Sequence, residues 1–240
     1  LSAPGTGLTG TLDTSWWVGL IFRPTLSYSP TTVYTLATCT DPGTGFGWSI
    51  QLNFPVPGTI VASVNNGVDP AASLSLPFVP NPVQGFSYPV SLTYSILPGP
   101  GFAVATLGAN GIGTAATPAP PNPAALSPVW PAPGARFTTL GGFPGAPSAN
   151  DVGIAVLQGS NTTSFVGGTG NYGGLAKANG GLVLTGSQSH RWFAGETPGV
   201  QGPITPPIVD PITNLPMTYA STVPPAANLV DVLHGAVWPF

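Results

Sequence analysis

Phe46-Gly47-Trp48-Ser49-Ile50-Gln51-Leu52-Asn53-Phe54 alternates large apolar residues with small or polar ones without a slip. Side chains on a strand point to opposite faces with a period of two. This stretch therefore lays Phe46, Trp48, Ile50, Leu52 and Phe54 on a core and turns the others to water. Two further runs repeat the pattern. Leu74, Leu76 and Phe78 alternate with Ser73, Ser75 and Pro77, and Tyr88, Val90, Leu92, Tyr94 and Ile96 alternate with Pro89, Ser91, Thr93 and Ser95. Together they predict an all-β chain of antiparallel sheets with one face buried.

Outward from these runs, strand candidates recur at short intervals. Ser15–Phe22, Val33–Thr38, Thr59–Val64, Phe102–Leu107, Arg136–Leu140 and Val152–Gln158 bring the set to about nine, the spacing of a β-sandwich. Ser15–Phe22 is apolar almost throughout, which predicts cover on both faces. Turn chemistry separates the strands: Asp41-Pro42-Gly43, then Asn65-Asn66-Gly67 and Asn110-Gly111, whose Asn-Gly steps suit tight hairpins. With 33 Gly and 31 Pro among 240 residues, long helices are excluded. Short helical turns are expected at Leu175–Asn179 and Ala226–Leu233. Residues 1–198 read as one sandwich domain interrupted by a proline-rich loop at 117–133. Residues 199–240 read as an extended, strandless proline-rich segment that packs on the domain or on a neighbour.

Composition narrows the function classes. Charged residues are 5% of the chain, against about 25% in an ordinary soluble domain. The four cations Arg23, Arg136, Lys177 and Arg191 are scattered, so no basic stripe can neutralise phosphates and nucleic acid is excluded as a partner. The apolar stretch from Trp16 to Phe22 is far shorter than the roughly 20 residues of a membrane helix, so no membrane insertion is expected. Cys39 is the single cysteine, which forbids an internal disulfide; it is expected to be a buried filler near a strand end. With no initiating Met and no signal-type start at Leu1, the expectation is a chain that is processed, trimmed or cut from something longer.

The order of segments resembles the laminin-G-like and concanavalin A-like jelly rolls. The likeness rests on Trp17-Val18-Gly19-Leu20-Ile21-Phe22-Arg23-Pro24, then Tyr34-Thr35-Leu36, then Phe46-Gly47-Trp48-Ser49-Ile50-Gln51-Leu52. Val90-Ser91-Leu92-Thr93-Tyr94, the stretch from Phe102 to Gly111, Phe137-Thr138-Thr139-Leu140-Gly141 and Val152–Leu157 continue it, so that it covers roughly residues 10–160. The resemblance implies a two-sheet jelly roll, and, in many members, a calcium ion at a sheet rim or a bound glycan. The charged surface positions usual in that family are empty here.

The chemistry-bearing residues are few. Glycoside hydrolysis needs two opposed carboxylates, and hydrolases of the resembled fold place them two residues apart on a strand. No two of Asp13, Asp41, Asp69, Asp151, Glu196, Asp210 and Asp231 are so spaced, and six of these seven fall in expected turns or loops. His190, in Ser187-Gln188-Ser189-His190-Arg191-Trp192, lacks a nucleophile elbow and a nearby carboxylate, and His190 and His234 do not make a zinc site. Asp69 with Asn65 and Asn66, or Asp151 with Asn150, could contribute oxygens to calcium, but turn formation accounts for them as well. Asn161-Thr162-Thr163 is a formal glycosylation sequon. The expectation is thus no enzyme, no metal and no cofactor. Trp130, Tyr172 and Trp192 stand in loop-like surroundings and are the candidate glycan-contact aromatics, with packing beneath a loop as the competing reading. Trp16, Trp17 and Trp48 belong to strands and the core. The leading expectation is a structural or surface module of a larger extracellular assembly, on a virion or a cell surface. Its partners would be copies of itself or other structural proteins. A carbohydrate-binding, lectin-like domain is the alternative.

Overall fold

The deciding strand, β4 (Gly47–Asn53), stands inside a six-stranded sheet and is paired on both sides. The computed structural model describes residues 2–4, 15–24, 33–41, 43–53, 58–65, 72–77, 83, 86–97, 103–109, 112–116, 137–140, 142–143, 146–147, 152–160, 172–178, 190–193, 208–209, 214 and 216–217. The first sheet runs β1 (Ser2–Pro4), β10 (Phe137–Leu140), β3 (Val33–Thr40), β4, β5 (Thr59–Asn65), β6 (Ala72–Pro77). The second, also six-stranded, runs β14 (His190–Phe193), β13 (Val152–Ser160), β2 (Trp16–Pro24), β7 (Tyr88–Ile96), β8 (Ala103–Ala109), β9 (Ile112–Ala116). Every pairing in both sheets is antiparallel. The chain crosses between sheets from β1 to β2, from β2 to β3, from β6 to β7, from β9 to β10 and from β10 to β13, so the antiparallel sandwich expected from the alternating runs is the architecture observed.

The core is the meeting of the two inward faces. From the first sheet come Tyr34, Leu36, Ala37, Cys39, Trp48, Ile50, Leu52, Ile60, Ala62, Val64 and Leu74. From the second come Trp16, Val18, Leu20, Phe22, Tyr88, Val90, Leu92, Tyr94 and Leu157. Each large side chain so buried stabilises the fold by roughly 1.5–3 kcal/mol. The ladder between β2 and β7 is clamped at both ends by aromatic pairs in direct register, Trp16 with Tyr94 and Phe22 with Tyr88, each with centroids 5.4 Å apart. Trp16 also reaches across the sandwich to Trp48 at 6.4 Å. Ala103, Ala105 and Ala109 on β8 stand opposite Ile96, Tyr94 and Val90, so small residues make room for large ones. Cys39 lies beside Trp48 in the same way, the buried filler expected.

Turns follow the residues that demand them. Asp41 Oδ1 accepts the backbone N–H groups of Gly43 and Thr44, at 2.7 and 3.2 Å, which makes Asp41 a turn former. Gly47 enters β4 with φ +139°, and a Cβ there would collide with the Cys39 carbonyl, so only glycine fits. Ala109 pairs with Ile112 across the β8–β9 ladder, while Asn110-Gly111, where a tight hairpin is expected, lies outside the described residues. The β5–β6 ladder ends with Val64 opposite Ala72, and the other Asn-Gly step, Asn66-Gly67, lies outside the described residues.

Further differences from the sequence reading concern elements too short or too irregular to show a period. β9 and β14 are strands that the alternation did not mark. The helix expected at Leu175–Asn179 starts earlier, as α1 (Tyr172–Ala178). Two small ladders add β11 (Gly142–Phe143) with β12 (Ala146–Pro147), and β15 (Ile208–Val209) with β16 (Pro216–Met217). The latter corrects the strandless reading of the C-terminal segment; β15 lies against β14, and β16 against β1. The proline-rich loop 117–133 and the helical turn at 226–233 lie outside the described residues.

Candidate functional site

With the inward faces sealed against each other, chemistry is left to the outward faces. On the first sheet, strand register assembles a feature that no single strand carries. Ser2 pairs with Thr139, Thr139 with Thr38, Thr38 with Ser49, Ser49 with Ser63 and Ser63 with Ser73. One hydroxyl residue per strand thus forms a row across all six strands. Beside it runs the row Thr35, Gln51, Val61, Ser75, in which the Gln51 Nε2 amide donates to Thr35 Oγ1 at 3.4 Å. The hydroxyl row is out of solvent at Thr38 and Ser49, half-buried at Ser63 and exposed at Ser73. None of the strands β1, β10, β3, β4, β5 and β6 contains Asp, Glu, Lys, Arg or His. Such a surface offers neutral donors and acceptors only. Where it reaches solvent, at Gln51 on β4 and at the serines of β5 and β6, it can hold a partner by hydrogen bonding, and the described residues of these strands include no side chain that titrates near neutral pH.

The outward face of the second sheet is polar too, and covered. α1 packs over β7, and its first residue, Tyr172, extends across β2 to β13. The ring lies on Gly19, where any Cβ would collide with it, and tilts against Trp17 at 6.3 Å between centroids. Gln158 Nε2 donates to the Tyr172 hydroxyl oxygen at 3.0 Å. Burial pushes the hydroxyl pKa of Tyr172 far above its ordinary range, and the Gln158 bond offsets part of that rise. Ser91, Thr93 and Ser160 are sealed in the same layer.

These placements bear on the three candidate aromatics. Tyr172 is not on a loop: it begins α1, is 1% exposed, and shows no open ring face on which a sugar could stack. Trp192 is not on a loop either, but in β14, in register with the core residue Leu157. Trp130 lies outside the described residues. Tyr172 and Trp192 are held on different elements beside β13. His190 opens β14 in register with Gly159. Asn65 ends β5, while Asn66, Asp69, Asn150, Asp151, the Asn161 sequon, His234 and every acid except Asp41 lie outside the described residues. Among the described residues no three of His, Cys, Asp and Glu gather into a metal-binding group, and no helix is long and apolar enough to cross a membrane. The hydroxyl row escaped the sequence reading because its members are far apart in the chain. The available signal was that the polar halves of the alternating runs are Ser, Thr, Gln and Asn without one charge.

No family model matches this chain, and no curated protein does. Among solved structures it is similar to the enzymatically active domain of bacteriophage CBA120 tailspike protein 2, at 13% identity and a TM-score of 0.48. That likeness covers 74% of this chain and 26% of the tailspike domain, so the chain spans about a quarter of it. It is also similar to the heptameric SAP-like pentraxin of Limulus polyphemus, at 18% identity and a TM-score of 0.46 over 78% of this chain and 84% of the pentraxin. A third is the carbohydrate-binding module, CBM40, of the Ruminococcus gnavus IT-sialidase, at 15% identity and a TM-score of 0.42 over 68% of this chain and 93% of the module. At these identities the likeness is one of chain path alone.

Proposed function

We propose that this chain is a non-catalytic structural or surface module of a larger extracellular assembly, such as a virion decoration or a cell-surface layer. The observation that carries this reading is the outward face of the first sheet, six strands of hydroxyl and amide residues without an ionisable side chain. A neutral face can be pressed against a neighbour without desolvating a charge and without repelling a like-charged copy. It also forms contacts that salt does not screen. Sedimentation of the purified chain over a wide concentration range, at low and at high salt, tests the reading. Self-association that persists in high salt is the expected result. A monomer at every concentration, from a source in which the protein co-purifies with no particle, overturns it.

A glycan is the second reading, favoured by the same rows, because sugar hydroxyls pair with neutral hydroxyl and amide groups. Saccharide titration should then show binding that Gln51→Ala weakens while the thermal melt stays in place. Silence across a broad glycan array removes this reading and leaves the first intact.

A further inference from the structure

A sheet edge is a row of unpaired backbone donors and acceptors, and proteins that stay monomeric block it with charge, proline, a bulge or brevity. The edges of the two sheets differ in this respect. β1 is three residues long and ends in Pro4. β14 carries His190 and Arg191. β9 meets its neighbour through a register shift between Gly108 and Ala109. β6 lacks charge, brevity and a bulge: it is six residues long and pairs with β5 without a shift from Ala72 to Pro77, and its one proline stands at the last position, outside the stretch Ala72–Leu76. Among the described residues β5 is its only ladder partner. Ser73, Ser75 and Pro77 are exposed, while Ala72 and Leu74 are buried in the core.

We infer that β6 is the assembly edge of this protein and that its occupant is β6 of a second copy, added antiparallel about a two-fold axis through Leu74. This rests on the structural-module reading and names the contact. The choice of a second copy follows from self-complementarity. Side chains directly opposite in an antiparallel ladder share a face, so a two-fold axis at Leu74 sets Ser73 opposite the partner's Ser75, Leu74 opposite Leu74 and Ala72 opposite Leu76. Hydroxyls then meet hydroxyls outside, and apolar residues meet apolar ones inside. The hydroxyl row Thr38, Ser49, Ser63, Ser73 passes into the partner's Ser75, and the two first sheets become one continuous sheet with a neutral outer face. With charged residues only 5% of the chain, little repulsion opposes the pairing of copies. Such a contact is isologous and closes at two copies.

Site-directed cross-linking tests the register. Cys39 is buried and is the single native cysteine, so a cysteine placed on β6 is the one accessible thiol. Ser73→Cys and Ser75→Cys are prepared separately, then mixed in equal amounts with oxidised glutathione. Opposite residues lie about 4.5–5.5 Å apart, within disulfide reach. The mixture should give covalent dimer several-fold above either variant alone, since like positions are offset by two residues along the ladder. Sedimentation of Ser75→Lys, an exposed change that leaves the core intact, should show dimerisation weakened at least tenfold with an unchanged melt. Equal cross-linking in mixed and unmixed samples, or a Ser75→Lys protein that associates like the wild type, overturns the β6 contact. If the wild type still assembles in that case, the structural-module reading survives without it. A wild type that is monomeric throughout, yet recovered on a particle, overturns the contact and leaves the module reading standing.

Discussion

The outward sides of the two sheets are built from the same neutral residue types, yet the first is open towards β6 and the second is sealed beneath α1. On the first sheet the hydroxyls emerge at Ser63, which is half-buried, and at Ser73, which is exposed. On the second, Ser91, Thr93, Gln158 and Ser160 are withdrawn from water, and a buried polar group costs about 1–3 kcal/mol unless it is hydrogen-bonded. The cover must therefore supply partners as well as apolar area. Tyr172 supplies both: a ring for Gly19 and Trp17, and an oxygen for Gln158. The contrast teaches that a neutral polar face decides nothing by itself. Whether it binds outward or is consumed internally depends on whether the chain provides one side chain able to close it.

Removing that side chain should give the largest effect on the comparison. Tyr172→Ala leaves a cavity over Gly19 and removes the bond from Gln158 Nε2, and should lower stability by about 3–5 kcal/mol in chemical denaturation. Gly19→Ala, which pushes the same ring off its seat, should be harmful in the wild type and close to neutral in the Tyr172→Ala background. An additive pair of effects would show that the ring and the glycine do not act together.

A smaller effect isolates the hydroxyl. Tyr172→Phe keeps the ring and removes the bond from Gln158, and should cost about 1–2 kcal/mol near neutral pH. Its pH dependence has a definite sign. Burial raises the pKa of Tyr172 in the folded chain, while the unfolded chain releases that proton near the ordinary value of about 10. Above that pH the unfolded state binds fewer protons than the folded one, so wild-type stability is intact below about pH 10 and falls as the pH climbs further. The decline should be shallower in Tyr172→Phe, as measured by denaturation midpoints from pH 8 to 11. Parallel curves would mean that the hydroxyl is not sealed.

The sandwich was legible in the sequence because its strands obey a strict period. Tyr88–Ile96 was readable at both ends, and Phe46–Phe54 began one residue early. β14 was not legible: four residues, His190–Phe193, carry no alternation long enough to register. Tyr172 stands in loop-like surroundings in the sequence; Gly173 and Gly174 follow it, and glycine argues against the helix that tertiary packing nevertheless forms there. The candidate face was written only in halves. Ser49, Ser63 and Ser73 are each unremarkable polar partners of an apolar neighbour, and it takes the register of β4, β5 and β6 to align them. Pairing partners are a property of the whole sheet, and a single strand's sequence does not encode them.

The smallest expected effect is also the most direct test of open against sealed, because it makes one chemical change in both places. Ser63→Ala and Ser91→Ala each delete a hydroxyl from the outward side of a central strand. Ser63 is half-buried and water replaces whatever bond it loses, so its loss should change stability by no more than about 0.5 kcal/mol. Ser91 is 1% exposed beneath the layer that α1 completes, and the groups left behind have no water to turn to. Its loss should cost about 1 kcal/mol or more. Urea midpoints for the two variants, measured side by side, give the ratio. Equal costs would mean that the first sheet is covered as fully as the second, and the neutral face could then serve as a docking surface only after something is moved aside.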